Sequence, residues 1–383
     1  MNLTDNEKKI ITLLSSAYPK SKKDITRECG IGWATAVKMV SRLEEKGILE
    51  CVGTGIMEQN GGKNAYVYQL AHDYPLSIGI DVEYLNTNLI LHNLKGDVLG
   101  SLHYKTPIKP GIDELKAFLR SCIEHFLEEH QAYRNNIIGI GIGMPLWILN
   151  DTQRSFDEIA DHLASCTTLP VQIENNIHNY AIHEKWHGKA FPFRDFVIVT
   201  IRNGLGSSIF LNGRIVKGAQ GVAGEIGHLQ MDEEGQLCHC GKSGCLETLI
   251  NQNILYTEYI QQVLNERLNP EAFTDERKIA EGLTDLMTQV KRGNPAAMKI
   301  VEQPVRYLSI GIAALTLLLN IPTIFIVAHF GENGDAILPL IEQELRRQVV
   351  PNTAIDLHYL PLQELSFTKG ASLLNFSNYF TDG

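Results

Sequence analysis

Three closely spaced cysteines constrain this chain more than any other feature of its sequence. Cys238, Cys240 and Cys245 fall within eight residues, and Gly241 and Gly244 allow the backbone between them to turn tightly. This spacing is typical of a metal-binding loop, because three thiolates can then converge on one ion. The sequence therefore predicts a zinc loop.

The fourth ligand is expected to be an imidazole. His228 is the nearest upstream candidate because it follows a Gly-Glu-Ile-Gly turn, whereas His239 lies between two cysteines and is expected to point away. A shell of three thiolates and one imidazole leaves no position for water, so the zinc is interpreted as structural, one ion per chain. The alternative is that the cysteines are free or disulfide-bonded, which their spacing disfavours.

Length and composition predict a globular chain of two or three domains, since 383 residues with 44% hydrophobic content can bury more than one core. Residues 1–9 are too polar for a signal peptide. The longest apolar run, residues 310–321, is too short to span a bilayer and is expected to be a buried helix. We therefore expect a cytoplasmic protein with no membrane insertion.

The charge distribution separates the N-terminus from the rest. The net charge is −10, which argues against nucleic-acid binding along the whole chain. Residues 1–72 nevertheless hold 10 Lys and Arg against 8 Asp and Glu. This slightly basic head on an acidic body is compatible with DNA contact confined to the N-terminus.

The first 72 residues have the pattern of a winged helix-turn-helix domain. Apolar periodicity and turn residues predict helices over 3–17, 21–29 and 33–46, then strands over 48–52 and 65–70. In this fold the third helix enters the major groove and the hairpin contacts the neighbouring backbone. The residues expected to contact DNA are Trp33, Thr35, Lys38, Ser41 and Arg42 on the third helix and Lys63 in the hairpin loop. The alternative is a winged-helix protein-interaction module.

After a linker at residues 72–75 the pattern changes to α/β. Strands are predicted over residues 76–81, 87–92, 137–144, 171–174, 196–201, 208–211 and 324–327, with a helix over 112–130 and mainly helices from 251 onward.

Two motifs of the body resemble a known family. Val-Ala-Gly-Glu-Ile-Gly-His at 222–228, followed by Cys-His-Cys-Gly-Lys-Ser-Gly-Cys-Leu-Glu at 238–247, closely resembles the ROK family of repressors, open reading frames and sugar kinases. The resemblance covers roughly residues 76–383. Because the kinases of the family lack a winged-helix head, the chain resembles its DNA-binding repressor branch, the xylose-repressor-like and NagC/Mlc-like members.

The resemblance implies an α/β body with the two-lobed actin-like and hexokinase-like (ribonuclease H-like) architecture. Residues 76–193 with 366–383 would form the first lobe, residues 194–365 the second, and a sugar would lie in the cleft. The residues matching sugar-contacting positions are Asn175, Asn176, Glu225, His228 and Glu247. Amide and carboxylate groups suit sugar hydroxyls, which both donate and accept hydrogen bonds. The alternative for Glu225 and Glu247 is a pair of solvated surface acids.

Several positions depart from the family's kinase pattern. Asn176 stands where the catalytic Asp is expected, and an amide cannot act as a base. Residues 81–85 lack the phosphate-loop glycines, residues 202–206 keep them in part, and His329-Phe330 replaces a Gly-Gly pair. These losses predict that the chain is not an enzyme. Trp147, near the expected cleft, would either stack on a sugar or fill core space.

The resulting expectation is a sugar-responsive repressor of carbohydrate genes. It would bind operator DNA as a homodimer or homotetramer, sense a small-molecule sugar, and associate with the nucleoid when bound to DNA. Two alternatives remain open at this point: an ATP-dependent sugar kinase with residual activity, and a repressor controlled by a sugar-transport protein.

Overall fold

The protein forms two compact units, Met1–Pro192 with Leu365–Gly383 and Phe193–Glu364. The computed structural model describes residues 3–15, 18–55, 65–107, 110–146, 152–267 and 275–380. The winged helix-turn-helix is part of the first unit, because its apolar core continues into residues of the α/β body.

The head has the predicted winged helix-turn-helix fold. Its elements are α1 (Asp5–Ser15), β1 (Lys20–Ser21), α2 (Lys22–Cys29), α3 (Trp33–Glu45), β2 (Leu49–Gly55) and β3 (Ala65–Leu70), and the three strands pair in the order β1-β3-β2. The sequence pattern did not predict the two-residue strand β1. Ser21 caps α2 by accepting a hydrogen bond from Asp24 N, and Gly30 ends that helix in the left-handed conformation.

The first α/β unit contains a five-stranded sheet. Its strands are β4 (Leu76–Val82), β5 (Asn86–Asn93), β6 (Val98–Lys105), β7 (Ile137–Met144) and β8 (Val171–Asn175), in the order β6-β5-β4-β7-β8. Strands β4, β7 and β8 are parallel, whereas β4, β5 and β6 are antiparallel. Its helices are α4 (Ile112–Glu129), α5 (Thr152–Thr167), α6 (Asn176–His187) and α11 (Ser366–Leu373).

Glycines in two central strands allow α11 to lie directly on this sheet. A Cβ atom on Gly79 would lie 2.1 Å from Thr368 O, and one on Gly141 would lie 1.8 Å from Ala371 O. Both distances are shorter than any real contact, so only glycine permits this close packing. The glycine spacing of the buried strand β7 is therefore a requirement for seating the C-terminal helix.

The second unit repeats the same strand order. Its strands are β9 (Phe196–Ile201), β10 (Leu205–Leu211), β11 (Arg214–Ile215), β12 (Thr323–Ala328) and β13 (Asp356–Pro361), in the order β11-β10-β9-β12-β13. Its helices are α7 (Gln252–Gln262), α8 (Glu276–Lys291), α9 (Pro295–Leu319) and α10 (Leu338–Gln348). When the strands of each sheet are numbered by their order along the chain, both sheets have the order 3-2-1-4-5. Two such sheets, each packed with helices, match the predicted actin-like and hexokinase-like class.

Helix α9 contains most of the longest apolar run. Ile312 is buried as expected, but Leu317 and Leu318 are 50% and 83% exposed, so the expectation of a fully buried helix was wrong at its C-terminal end. Within the described residues, no helix combines the length and hydropathy needed to cross a membrane.

Candidate metal centre and ligand-binding residues

A tight turn at residues 224–228 places the first metal candidate. Gly224 has φ 90°, and a Cβ there would lie 2.5 Å from Ser207 O. A Cβ on Gly227 would lie 2.0 Å from Leu205 O, so both glycines pack against the backbone of β10. This contact fixes Glu225 and His228 on either side of Gly227.

The cysteine loop folds back onto this turn. Leu246 N donates to Leu229 O at 2.8 Å and Cys238 N donates to Lys242 O at 2.8 Å, which closes the loop at its base and at its tip. Gly244 adopts φ 66°, and a Cβ there would lie 1.5 Å from Asp232 O. Gly244 is therefore required for the close backbone crossing. Gly241 has open space around it, but its φ of 89° is one that other residues rarely adopt.

Four side chains converge at the end of this loop in a geometry that fits zinc. One donor atom each from His228, Cys238, Cys240 and Cys245 lies within 4.8 Å of all the others. His228 Nδ1 is 3.5 Å from Cys238 Sγ, and the sulfurs of Cys240 and Cys245 are 3.6 Å apart. Tetrahedral zinc places its donors roughly 3.5–3.8 Å apart, given bonds of about 2.3 Å to sulfur and about 2.0 Å to nitrogen. The three cysteines are free thiols in this structure.

A second donor set overlaps the first. His228, Cys238, His239 and Glu247 also bring their donor atoms within 4.8 Å of one another. His239 Nδ1 lies 3.0 Å from Glu247 Oε1, so the expectation that His239 points away from the centre was wrong. It turns inward because Glu247, a buried carboxylate, provides a hydrogen-bond acceptor there. The set with three thiolates matches the donor preference of zinc more closely.

Burial and hydrogen bonds shift the pKa values of Cys238 and Glu247 in opposite directions. Burial, followed by the hydrogen bond to Glu247, raises the pKa of the Cys238 thiol. Burial acts to raise the pKa of Glu247 too, but hydrogen bonds from His239 and Cys238 outweigh it and the pKa is lowered. A bound zinc ion would hold the thiols as thiolates and cross-link the loop to the 224–228 turn.

Three of the five candidate sugar residues surround the metal centre. The Nε2 atom of His228 lies 3.8 Å from Glu225 Oε2, while its Nδ1 atom lies 3.6 Å from Glu247 Oε1. The two imidazole nitrogens thus face different carboxylates, and Nδ1 also faces the cysteines. Glu247 is buried and Glu225 is half-buried, so neither is a solvated surface acid.

The other two candidates, Asn175 and Asn176, lie in the first unit where β8 runs into α6. Asn175 Oδ1 caps the helix by accepting a hydrogen bond from Ile177 N at 3.3 Å. Asn176 Nδ2 donates to Glu83 Oε1 at 3.1 Å. The amide at the expected base position is therefore paired with the carboxylate that stands in the first phosphate loop.

Two further positions that depart from the kinase pattern, Asn203 and Phe330, contact other residues of the protein. Asn203 Oδ1 accepts hydrogen bonds from Gln252 Nε2 at 2.8 Å and Asn253 Nδ2 at 3.3 Å, which ties this loop to α7. The ring of Phe330, at the expected Gly-Gly position, is fully buried and stacked on Tyr359 at 6.3 Å.

The DNA-facing candidates lie along α3. Trp33 is 57% exposed and Lys38 is exposed, whereas Thr35 and Ser41 are half-buried. Arg42 is exposed, but its Nε atom lies 3.4 Å from Glu7 Oε1. Lys63 and Trp147, which were also singled out from the sequence, lie outside the described residues.

The sequence reasoning missed Glu7. This fully buried carboxylate accepts hydrogen bonds from Thr4 N at 2.8 Å and Lys46 Nζ at 3.1 Å, and so joins α1 to the end of α3. Burial raises its pKa, but the hydrogen bonds from Thr4 and Lys46 outweigh burial and the pKa is lowered. Thr4-x-x-Glu7 is a capping box, a signal that predicts the local contact but not the burial.

Taken together, the two repeated sheets and the His/Cys loop define a protein of the sugar-kinase-related class carrying a winged-helix head. The ROK family profile matches residues 77–371, and the chain belongs to the ROK family.

Several curated relatives align with this chain. The glucokinase of Halalkalibacterium halodurans is 26% identical over 72% of this chain and 87% of its own length. The DNA-binding transcriptional dual regulator NagC of Escherichia coli K12 is 25% identical over 90% of this chain and 85% of its own. The xylose repressor of Bacillus spizizenii is 25% identical over 97% and 94%, respectively.

The similar solved structures also include both a regulator and a kinase. A ROK family transcriptional regulator, a homologue of the E. coli MLC protein, superposes with a TM-score of 0.71 at 25% identity, covering 98% of this chain and 96% of its own. The ROK glucokinase of Streptomyces griseus, in complex with glucose and AMPPNP, superposes with a TM-score of 0.60 at 21% identity, covering 78% and 98%. The latter likeness supports the fold alone.

Proposed function

We propose that this chain is a sugar-responsive transcriptional repressor of carbohydrate uptake or catabolism genes. The observation that carries the proposal is the joining of a winged helix-turn-helix to a ROK body in one chain. The alignments with NagC and the xylose repressor, which extend over both parts, support it. Such a protein would act in the cytoplasm, on the nucleoid, and its symmetric operator would require a homodimer or homotetramer.

The head would bind DNA through the exposed face of α3. Lys38 and Arg42 would neutralise phosphates, together with Lys63, while Thr35 and Ser41 would contact base edges or phosphates. Trp33 lies at the first turn of α3, the end of a recognition helix that contacts bases. The Arg42 side chain would exchange part of its contact with Glu7 for a phosphate.

The effector would be a small sugar. The candidate sugar contacts are Glu225, His228 and Glu247 in the second unit, and Asn175 and Asn176 in the first. Carboxylates accept from sugar hydroxyls, and the amides both donate and accept, which favours ligands with a matching set of hydroxyls. The zinc ion would be structural: through His228 Nδ1 it would orient the imidazole whose Nε2 is directed toward Glu225.

Kinase activity is not part of this proposal. A catalytic base must take a proton from the attacking hydroxyl, and the Asn176 amide, paired with Glu83, has no such capacity. The second candidate function is an ATP-dependent sugar kinase, which the alignment with a glucokinase favours. A third is a repressor controlled by a sugar-transport protein.

The test combines DNA selection with a sugar panel. The purified full-length chain is used to select duplexes from a random library, and binding of the selected duplex is measured with glucose, xylose or N-acetylglucosamine. We expect salt-sensitive, sequence-selective binding that one sugar changes at least tenfold, within the ~5–150-fold range of allosteric couplings. Lys38→Ala should weaken binding, whereas Lys299→Ala, a change on α9 of the second unit, should not.

Three results separate the candidates. Absence of selective DNA binding under every condition contradicts the repressor proposal. Sugar phosphorylation in a coupled ATP assay that is lost in Glu225→Ala supports the kinase. Selective DNA binding that no sugar of the panel changes favours control by a partner protein.

A further inference from the structure

Helix α6 extends from the proposed sugar residues toward the head. Asn175 caps its N-terminus and Asn176 is its first residue. Its 12 residues correspond to an axis of about 18 Å at 1.5 Å per residue. A ligand that contacts these amides therefore touches one end of a single straight element.

The other end of α6 packs on the head. Ile182 and Trp186 contact the apolar core that the head forms with the C-terminal residues, and α1 contacts α6 directly. The Trp186 ring stacks on Phe380 at 4.5 Å with an interplanar angle of 16°. Phe380 is itself fully buried in the core that contains Ile10 and Val40 of the head.

A second set of contacts joins the same end to the linker. His187 Nε2 lies within hydrogen-bond distance of Leu94 O, at 3.2 Å, in the β5–β6 hairpin. In that hairpin Asn93 Nδ2 donates to His72 O at 3.0 Å, at the junction between the head and the body. The last turn of α6 thus contacts the core of the head directly and reaches the linker through the β5–β6 hairpin.

The helix has no internal hinge. Its sequence from Asn176 to His187 contains neither glycine nor proline, the usual causes of bending. Most of its residues are buried, and a Cβ on Gly370 of α11 would lie 1.8 Å from Asn179 O, so α11 lies directly against the middle of α6. Tightly packed elements of this kind shift as rigid bodies rather than deform.

We propose that α6 is the element that transmits sugar occupancy to the DNA-binding head, with Trp186 and Ile182 as the positioning residues at its output end. This inference rests on the proposed function, since it requires a sugar at Asn175 and Asn176. A shift of α6 on sugar binding would displace the Trp186–Phe380 stack and with it the seat of α1. Neither residue touches sugar or DNA in this scheme.

The experiment measures coupling separately from binding. Trp186→Ala and Ile182→Ala are made in the full-length chain. Sugar affinity is measured by calorimetry with the sugar that acts on the wild type, and affinity for the selected duplex is measured without and with that sugar. Both variants should keep each single affinity within about threefold, while the sugar-induced change in DNA affinity falls from at least about tenfold to within about twofold.

Phe118→Ala is the matched control. Phe118 is also a half-buried aromatic on a helix of the first unit, but it packs against the core of the α/β body away from the head. It should keep the full sugar response, and Trp186→Phe should restore it. Ile182→Ala maintains the test if Trp186→Ala does not fold.

The outcomes distinguish this inference from the proposed function. A wild-type chain that binds DNA but responds to no sugar contradicts both. A wild-type response that persists undiminished in Trp186→Ala or Ile182→Ala overturns the α6 inference and leaves the repressor proposal standing. Loss of response in Phe118→Ala as well would mean that general destabilisation, not α6, uncouples the sites.

Discussion

Replacement of the exposed candidate ligand Cys240 by serine tests the contribution of the proposed zinc ion to stability. Cys240 is solvent-exposed, unlike Cys238 and Cys245, so the Cys240→Ser change removes almost no buried packing. A zinc ion bound there would close a loop of about 18 residues between His228 and Cys245, which by the chain-entropy relation for cross-links would stabilise the fold by roughly 3 kcal/mol. For a unit of about 170 residues this corresponds to a fall in Tm of about 6–12 °C.

The assay pairs elemental analysis with thermal unfolding. Wild type purified without chelator should contain one zinc per chain, and Cys240→Ser should contain much less and melt at the lower temperature. Cys166→Ser is the control, because Cys166 is also exposed but lies far along the chain on α5. A wild type without zinc, or a Cys240→Ser variant with full zinc and an unchanged Tm, would refute the metal-loop reasoning.

Three further predictions concern the first unit. Glu7→Gln should lower the free energy of unfolding, measured by urea titration, by about 1–3 kcal/mol because Lys46 and Thr4 lose a buried charged acceptor. The control Asp5→Asn, at an exposed position, should leave the free energy of unfolding unchanged, and an equal loss in both variants contradicts this reasoning. Gly141→Ala should cost about 1–3 kcal/mol or more because its Cβ would overlap Ala371 O. Gly111→Ala has open space around it and should cost less, about 1 kcal/mol or below, which reflects only the N-cap position of Gly111 on α4. Burial lowers the pKa of His183 to about 3, that of His187 to about 4, and that of His92 well below its usual value. The charge of Lys369 also lowers all three pKa values, whereas Asp97 acts to raise the pKa of His187. Below about pH 6.5 the unfolded chain binds protons on these imidazoles and the folded chain does not, so the free energy of unfolding should fall by about 1 kcal/mol per imidazole between pH 7.5 and pH 5.5. Urea titrations at pH 7.5 and pH 5.5 measure this fall, and it should be smaller in His187→Gln.

The parts of the fold that sequence predicts are those with a strong local signal. Alternating or continuous apolar runs gave the main strands, and the capping residue Ser21 gave the start of α2. The cysteine spacing predicted a loop whose donors converge, because Gly241 and Gly244 can adopt the positive φ values that the tight turns require. The assignments of residues to sugar and DNA remain predictions that binding measurements have to test.

Helix α6 was missed because its signal is not local. It is buried on most sides yet rich in Asn and His, so no apolar stripe of helical period marks it. Some of its polar side chains pair with residues outside the helix, as His178 does with Glu174 of β8. The inward turn of His239 was missed for a similar reason, since it depends on where Glu247 lies after the loop has folded.

The seat of the head also depends on contacts between distant parts of the sequence. The ROK family profile covers residues 77–371. The head lies before residue 77, and Phe376, Tyr379 and Phe380 lie after residue 371. These two flanking segments share one apolar core, to which the family body contributes Leu94, Ile138, Ile182 and Trp186. The two segments therefore bury their apolar side chains against each other as well as on the body. In the proposed scheme, the C-terminal aromatic segment therefore has its own part, because its Phe380 ring joins the core of the head to Trp186 of α6.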